Sequence, residues 1–301
     1  MAKHPTLLEQ FRSFYFQNKP QDMEQAIKYF CVFGGTSWDV DMSQSLKDLI
    51  ETKILNNYKY IHSDITKITQ SNKHAHALLS GIATGDSRLH SALKKARISR
   101  ADGEYALEDI FERGLLEGEY SLGHEDDDVD EKLNFTTPFM RFWFSFVSPY
   151  FKGIKDGDYK EAKASFANRQ QEFFELIFLK LSIEVIKKGF KEDPIEEAGS
   201  YWDRDTEVDI LGSTKSGKIV TGICKNSNSK AKKTEFSKIK EKCEKASLKS
   251  DINVIISKSG FSNELKSLKG SDLKLFTLKH FKTLVEDLSK KDFIECEGKR
   301  Y

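Results

Sequence analysis

The sequence predicts an α/β protein in which a helical N-terminal region leads into a mixed sheet flanked by helices. Two patterns carry that prediction. Apolar residues recur at helical spacing through the first third, and beyond residue 190 short β-branched runs alternate with amphipathic helices. A chain of 301 residues with 38% hydrophobic and 32% charged residues is also expected to be soluble, with two or three modules.

Taken in order, Leu7, Leu8, Phe11 and Phe14 mark one helix and Met23, Ala26, Ile27 and Phe30 another, with Pro20 between them. Gly34-Gly35 breaks the chain, and Ser45 to Leu55 reads as a further amphipathic helix. Residues 1–73 are thus expected to form a helical cap or arm, and they hold no polar cluster with an evident chemical role.

Residues 74–123 read as three short helices and a hairpin. Leu78, Leu79 and Ile82 mark the first helix, which Gly85 stops. Asp86 is the expected N-cap of the second, with Leu89, Leu93 and Ala96 facing inward. Ser99-Arg100-Ala101-Asp102 opens the third, Gly114 closes it, and Leu115-Leu116 begins the hairpin. This is the winged-helix pattern. A third helix that reads DNA enters the major groove, but this one carries Asp102, Glu104, Glu108, Asp109 and Glu112, which phosphates would repel. Arg97 and Arg100 are left as backbone contacts, and a structural or protein-binding role for the module is the stronger expectation.

The run His124 to Glu131 is mostly acidic and is read as a solvated linker over residues 124–133, without the glycine and terminal glutamate of an EF-hand loop. Residues 134–301 form the last module. An aromatic stretch from Phe135 to Phe151 predicts a buried helix with flanking turns, and Gln171 to Lys188 a strong amphipathic helix. Strands follow in GSYWDR, TEVDILG, GKIVTGICK, INVIISK and LKLFTL. Helices are expected near residues 234–246, 262–267 and 279–288.

Composition excludes several classes. The longest strongly apolar stretch, Phe142 to Val147, is far short of the ~20 residues that span a bilayer. The opening MAKHPTLLEQ has no apolar h-region, so a secretory signal is not expected. Cys31, Cys224, Cys243 and Cys296 are widely spaced, which argues against a disulfide framework or structural zinc and suits the cytoplasm. Charge is uneven along the chain: residues 211–301 carry 21 Lys and Arg against 11 Asp and Glu, a balance of +10 in a protein of net charge +1. A polyanion partner, DNA foremost, is the functional expectation; a lysine-rich solvated surface is the bland one.

The block from Glu172 to Lys225 holds the most informative residues. Side chains alternate along a strand, so Asp209 in Glu207-Val208-Asp209-Ile210-Leu211 points away from Val208 and Ile210. Lys225 shares a face with Ile219, Thr221 and Ile223. Asp209 and Lys225 are expected to converge at one end of a hairpin, with Glu175 reaching in from the preceding helix; a plain surface ion pair is the simpler alternative. Carboxylates beside a lysine suit metal-dependent phosphodiester hydrolysis, in which Asp209 and Glu175 would hold Mg²⁺ and Lys225 would stabilise charge.

EVDIL followed by a strand ending in lysine resembles the PD-(D/E)XK nuclease-like fold, which implies a restriction-endonuclease-like sheet. RFWFSFVSPY, the FFEL helix, GSYWDR, EVDIL and GICK together resemble the C-terminal domain of archaeal-type DEXX-box ATPases. ATGDSRLHSALKKARIS resembles the winged-helix segment that precedes it. The resemblance covers roughly residues 74–285 and implies a nuclease-like domain usually fused to an ATPase. Two departures stand out. Where the fold's third motif places Glu or Gln two residues before the lysine, this chain has Ile223, so an acid would have to come from Glu172, Glu175 or Glu235. The ATPase module is also not recognisable. Gly212 to Lys218 fits GxxxxGK but continues with Ile219 and a β-rich run, so a hairpin turn is expected and no bound nucleotide.

Lys230, Lys232, Lys233, Lys238, Lys240 and Lys242 flank this region and are the expected phosphate contacts. Trp202 and Tyr201 suit core packing or base stacking, Cys224 suits a small buried strand position, and His74 and His76 fall on different sides of a helix. Three functions stay open. They are DNA binding by a nuclease-like domain with weakened or lost catalysis, an active Mg²⁺-dependent endonuclease, and an adaptor for a separate ATPase or other protein. A homodimer is compatible with each, and a membrane partner with none.

Overall fold

A computed structural model of the chain describes residues 4–124 and 129–294. Residues 125–128 of the acidic run and Cys296 lie outside the described residues. The α/β class expected from the sequence is the one adopted, with helices first and a mixed sheet after them.

Helix α1 (Leu7–Asn18) begins with a reciprocal cap: Glu9 N donates to Thr6 Oγ1, and Thr6 N donates to the Glu9 carboxylate at 2.7 Å. Pro20 separates it from α2 (Met23–Phe33), capped by Asp22. Helix α3 (Leu46–Leu49) continues into a π-turn over Ile50–Leu55, and α4 (Tyr58–Ile68) follows. Next come α5 (Lys73–Thr84), α6 (Leu89–Ala96) and α7 (Arg100–Glu112). Strand β1 (Leu116–Glu119) then pairs antiparallel with β2 (Lys132–Phe135). Asp86 is not the cap of α6. Ser87 takes a left-handed φ of 65°, which delays the helix until Arg88 is the cap residue, and Asp86 instead accepts from Arg88 N and Ser91 Oγ.

The aromatic stretch is less regular than a single helix. It runs through α8 (Pro138–Phe142), a π-turn (Trp143–Val147), a short 3₁₀ turn (Ser148–Tyr150) and α9 (Phe151–Lys155). The widened turn lets five consecutive side chains, Trp143 to Val147, all be buried. Helix α10 (Lys160–Gly189) has 30 residues, about 45 Å, and begins a full three turns before the apolar run that announces it.

The sheet is ordered β3 (Ile195–Trp202), β4 (Glu207–Thr214), β5 (Ile219–Lys225), β6 (Ile252–Ser257), β7 (Leu273–Thr277). The first three strands form an antiparallel meander; β6 and β7 add in parallel. Helix α11 (Lys233–Lys245) links β5 to β6, and α12 (Asn263–Ser267) links β6 to β7. The helix expected near 279–288 is instead a 3₁₀ turn, Leu278–Leu284, that returns the chain onto α10 and α2. Residues Gly212–Lys218 close β4 and turn into β5. Gly217 takes a φ of 82°, and Asp193 accepts from Ser216 N and Oγ at 3.0 and 2.6 Å. A carboxylate on the turn is the opposite of a phosphate cradle.

One face of the sheet packs on α10. Ile210, Val220, Val254 and Ile256 join a core that runs from Phe11 through the aromatic stretch to Leu284. The other face is covered by α11 and α12, where Ile255, Leu273 and Leu275 meet Ile239, Cys243 and Leu265. The N-terminal helices are therefore not an appended arm. Arg12 binds Asp292 at 2.7 Å and the Leu284 carbonyl at 2.6 Å, and the largely buried Lys258 ammonium after β6 meets Glu24 at 3.1 Å.

The chain just before the expected linker over 124–133, and the linker's described second half, are tied to the sheet. Leu122 N donates to the Ser200 carbonyl, and Ser121 Oγ both donates to the Trp202 carbonyl and accepts from Trp202 N. The Trp202 indole N–H donates to the Asp130 carbonyl at 3.0 Å, while Lys132 sits 4.5 Å over the indole ring and pairs with Glu207. Trp202 is fully buried. Trp202→Ala should therefore cost about 3–5 kcal/mol in urea unfolding. It should also speed proteolysis between Leu122 and Lys132; an unchanged cleavage rate there would show that the segment is held by other contacts.

Candidate functional site

The site lies on the α11 side of the β4–β5 hairpin. Ile210 stands opposite Gly222 and Leu211 opposite Thr221, so continuing the register sets Asp209 across from Ile223 and diagonal to Lys225. Ile223 packs with the α11 cluster, as alternation requires of a residue on that face.

The expected convergence of Asp209 and Lys225 takes a different form, because α11 supplies each with its own partner. Asp209 Oδ2 accepts from Cys224 N at 2.8 Å, and its other oxygen lies 3.8 Å from Lys242 Nζ. Lys225 Nζ donates to Glu235 Oε1 at 2.9 Å, and Glu235 Oε2 accepts from Lys232 N at 2.7 Å. Glu235 stands in the first turn of α11, where a carboxylate also favours the helix N-terminus. The simple Asp209–Lys225 surface pair is thus replaced by two crossed pairs, Asp209–Lys242 and Lys225–Glu235.

The carboxylates differ electrostatically. Burial raises Asp209 above the usual aspartate range, against the pull of the Cys224 N–H and Lys242. Burial opposes Glu235 as well, but its bonds from Lys225 and Lys232 N outweigh this and hold it below the ordinary value. Glu175 keeps an exposed face on α10, but partial desolvation raises its pKa first, followed by repulsion from Glu172 and Asp209, which places it within electrostatic reach of Asp209. One turn earlier, Gln171 donates to the Asn226 carbonyl just beyond β5 and fixes this part of α10 against the strand end. Among the described residues no three His, Cys, Asp or Glu side chains are grouped to hold a metal ion.

Around this centre the lysines project outward. Lys230, Lys232, Lys233, Lys238 and Lys240 are exposed. Lys240 lies 4.4 Å over Phe236, and Lys233 is 3.8 Å from an equally exposed Glu264. Arg97 is exposed in a left-handed turn at the end of α6, whereas Arg100 is taken up by Glu104 at 2.7 Å. Tyr201 and Trp202 are buried and unavailable to a base, and burial pushes the Cys224 thiol well up. Two cations escaped the sequence reading. Lys95 on α6, though exposed, has its pKa lowered by partial desolvation and then by repulsion from Arg169 on α10, and Arg169 lies over Phe146. Lys95 and Arg169 lie 74 positions apart in the chain and come within electrostatic reach only through the fold, so no local pattern announces them.

The raised Asp209 pKa has a testable sign. The folded state keeps the proton to higher pH than the unfolded chain, so Asp209 costs stability as pH rises from about 4 through its raised value. Asp209→Asn should match wild type in acid and melt at higher temperature than wild type at neutral pH. A variant that melts lower at every pH would mean that the bonds to Cys224 N and Lys242 outweigh desolvation.

A family model, DUF234, described as archaea bacterial proteins of unknown function, matches residues 143–239. The matched segment runs from the π-turn through α10 and β3–β5 into α11, so it includes Glu175, Asp209, Ile223, Lys225 and Glu235 but stops short of Lys242. No curated protein and no solved structure matches the chain.

Proposed function

We propose that this chain binds nucleic acid, DNA foremost, through the lysine surface around α11, and that its nuclease-like centre is degenerate. The observation that carries the reading is the crossed pairing. Asp209 and Lys225 each have an internal partner of opposite charge from α11, and Ile223 occupies the facing position where a metal-binding acid would be needed. Five lysines beside them remain exposed to solvent. The winged-helix and PD-(D/E)XK assignments belong to this proposal. They are supported by the placement of FFEL on α10, GSYWDR on β3, EVDIL on β4 and GICK on β5, and by three helices and a two-stranded sheet between residues 73 and 135.

A second reading, a Mg²⁺-dependent endonuclease, is favoured by Glu235, whose carboxylate already touches Lys225 and would have to exchange that contact for the metal. Binding and cleavage assays separate the two. Duplex and single-stranded DNA should bind with log K falling linearly against log salt, with a slope of about −4 to −5 for five lysines on duplex. Charge reversal of Lys232, Lys233 and Lys238 together should flatten that slope by about 3. Salt-independent binding, or none, would favour an adaptor for a separate ATPase. Cleavage that needs Mg²⁺ and disappears in both Asp209→Asn and Glu235→Gln would replace the degenerate reading with the catalytic one.

A further inference from the structure

A second site lies away from the sheet, between α4, α5 and the end of the aromatic stretch. A surface cleft of about 450 Å³, within the range of ligand pockets, is lined by Tyr58, His62 and Thr66 of α4, Ser71 in the turn before α5, Lys73 at the start of α5, and His76 one turn on. Ser80, Ser148 and Phe151 complete its wall. No carboxylate lines it. Its polar groups are hydroxyls, two imidazoles and one ammonium, and of these the ammonium and the N–H and O–H groups can all donate to an anion.

Three features mark the cleft as built rather than incidental. The Thr66 hydroxyl is buried and has no hydrogen-bond partner, a cost that a bound acceptor would remove. The turn that delivers Ser71 and Lys73 is strained, because Gln70 and Ser71 both take left-handed φ values, 48° and 59°, that non-glycine residues avoid. The imidazoles are fixed from behind. His62 stacks on Tyr58 at 5.1 Å, with Trp143 beneath, and His76 is held by the Thr69 hydroxyl and the edge of Phe144. Burial lowers the pKa of both histidines, with Lys155 also repelling His62 and His62 repelling His76. At the rim, Phe151 is 45% exposed, an aromatic face without a cover.

We propose that this cleft binds a phosphate monoester carried on an aromatic group: a nucleoside monophosphate, or the 5′-phosphorylated end of a nucleic-acid strand. The phosphate oxygens accept from Thr66, Ser71, Lys73 and the histidines, and the base lies against Phe151. The inference stands apart from the lysine surface of α11 and does not need it.

Calorimetry on the full chain tests it with adenosine 5′-monophosphate, adenosine, and one short strand bearing either a 5′-phosphate or a 5′-hydroxyl. The monophosphate should bind at least about ten-fold more tightly than adenosine, and Lys73→Glu and Phe151→Ala should each weaken it by about ten-fold. Both altered side chains reach solvent, and thermal melts of each variant verify the fold. Displacement of the mononucleotide by the 5′-phosphorylated strand but not by the 5′-hydroxyl strand identifies a strand end as the source; failure of both strands identifies a free nucleotide. The proposal is overturned if neither phosphorylated probe binds, if adenosine binds as tightly as its monophosphate, or if both variants bind as wild type does. Loss of salt-dependent binding to 5′-hydroxyl duplex would instead count against the α11 surface alone.

Discussion

The burial of α10 is the constraint on which the rest of the molecule depends. Its central turns bury Phe173, Phe174, Ile177, Phe178, Leu181, Ile183, Val185 and Ile186, which point in several directions around the axis. No single partner could cover them. The aromatic stretch takes one side, with Phe142 and Phe146 edge-on to Phe173 and Phe166; the sheet takes another through Ile210, Val220 and Val254; and α2 and the Leu278–Leu284 turn take the remainder. At ~1.5–3 kcal/mol for each large apolar side chain removed from water, this burial outweighs any polar contact in the protein. It also explains why the N-terminal helices and the sheet share one core. At its far end Gly189 permits the close approach of Phe276, since a Cβ there would lie 2.6 Å from the ring.

Because α10 fixes the sheet on one face, α11 is left to close the other, and that closure decides the electrostatics of the β4–β5 hairpin. A helix carrying Glu235 in its first turn and Lys242 two turns later meets a strand pair carrying Lys225 and Asp209. Each partly buried charge finds a counter-charge, which is what a low-dielectric setting demands. On the proposed function, a metal would have to displace a lysine from a carboxylate, whereas a phosphate backbone would bind the outer lysines without disturbing either pair.

The two surfaces proposed for ligands rest on different physics. The α11 lysines are exposed point charges that suit a repeating polyanion and are sensitive to salt. The cleft between α4 and α5 instead offers convergent donors behind an aromatic rim, which suits one anion of defined shape.

Much of the architecture was legible in local patterns. The period of two around Ile210 and Ile223, the capping residue Ser99 and the turn at Gly217 all act within a few residues, so the sequence by itself determined the strands of the five-stranded sheet, most helices and their order, but not β2 (Lys132–Phe135), which falls where a linker and a buried helix were expected. Alternation also put Ile223 and Lys225 on one face of β5, whereas the β4–β5 register is what sets Asp209 across from Ile223. Tertiary structure alone decided who pairs with whom. Asp209 and Lys242 are 33 residues apart, and Lys225 meets Glu235 only because α11 folds back over the hairpin. The cleft was illegible for the same reason. His62, His76 and Phe151 belong to three separate helices, and nothing in the spacing of one reports where the others will stand.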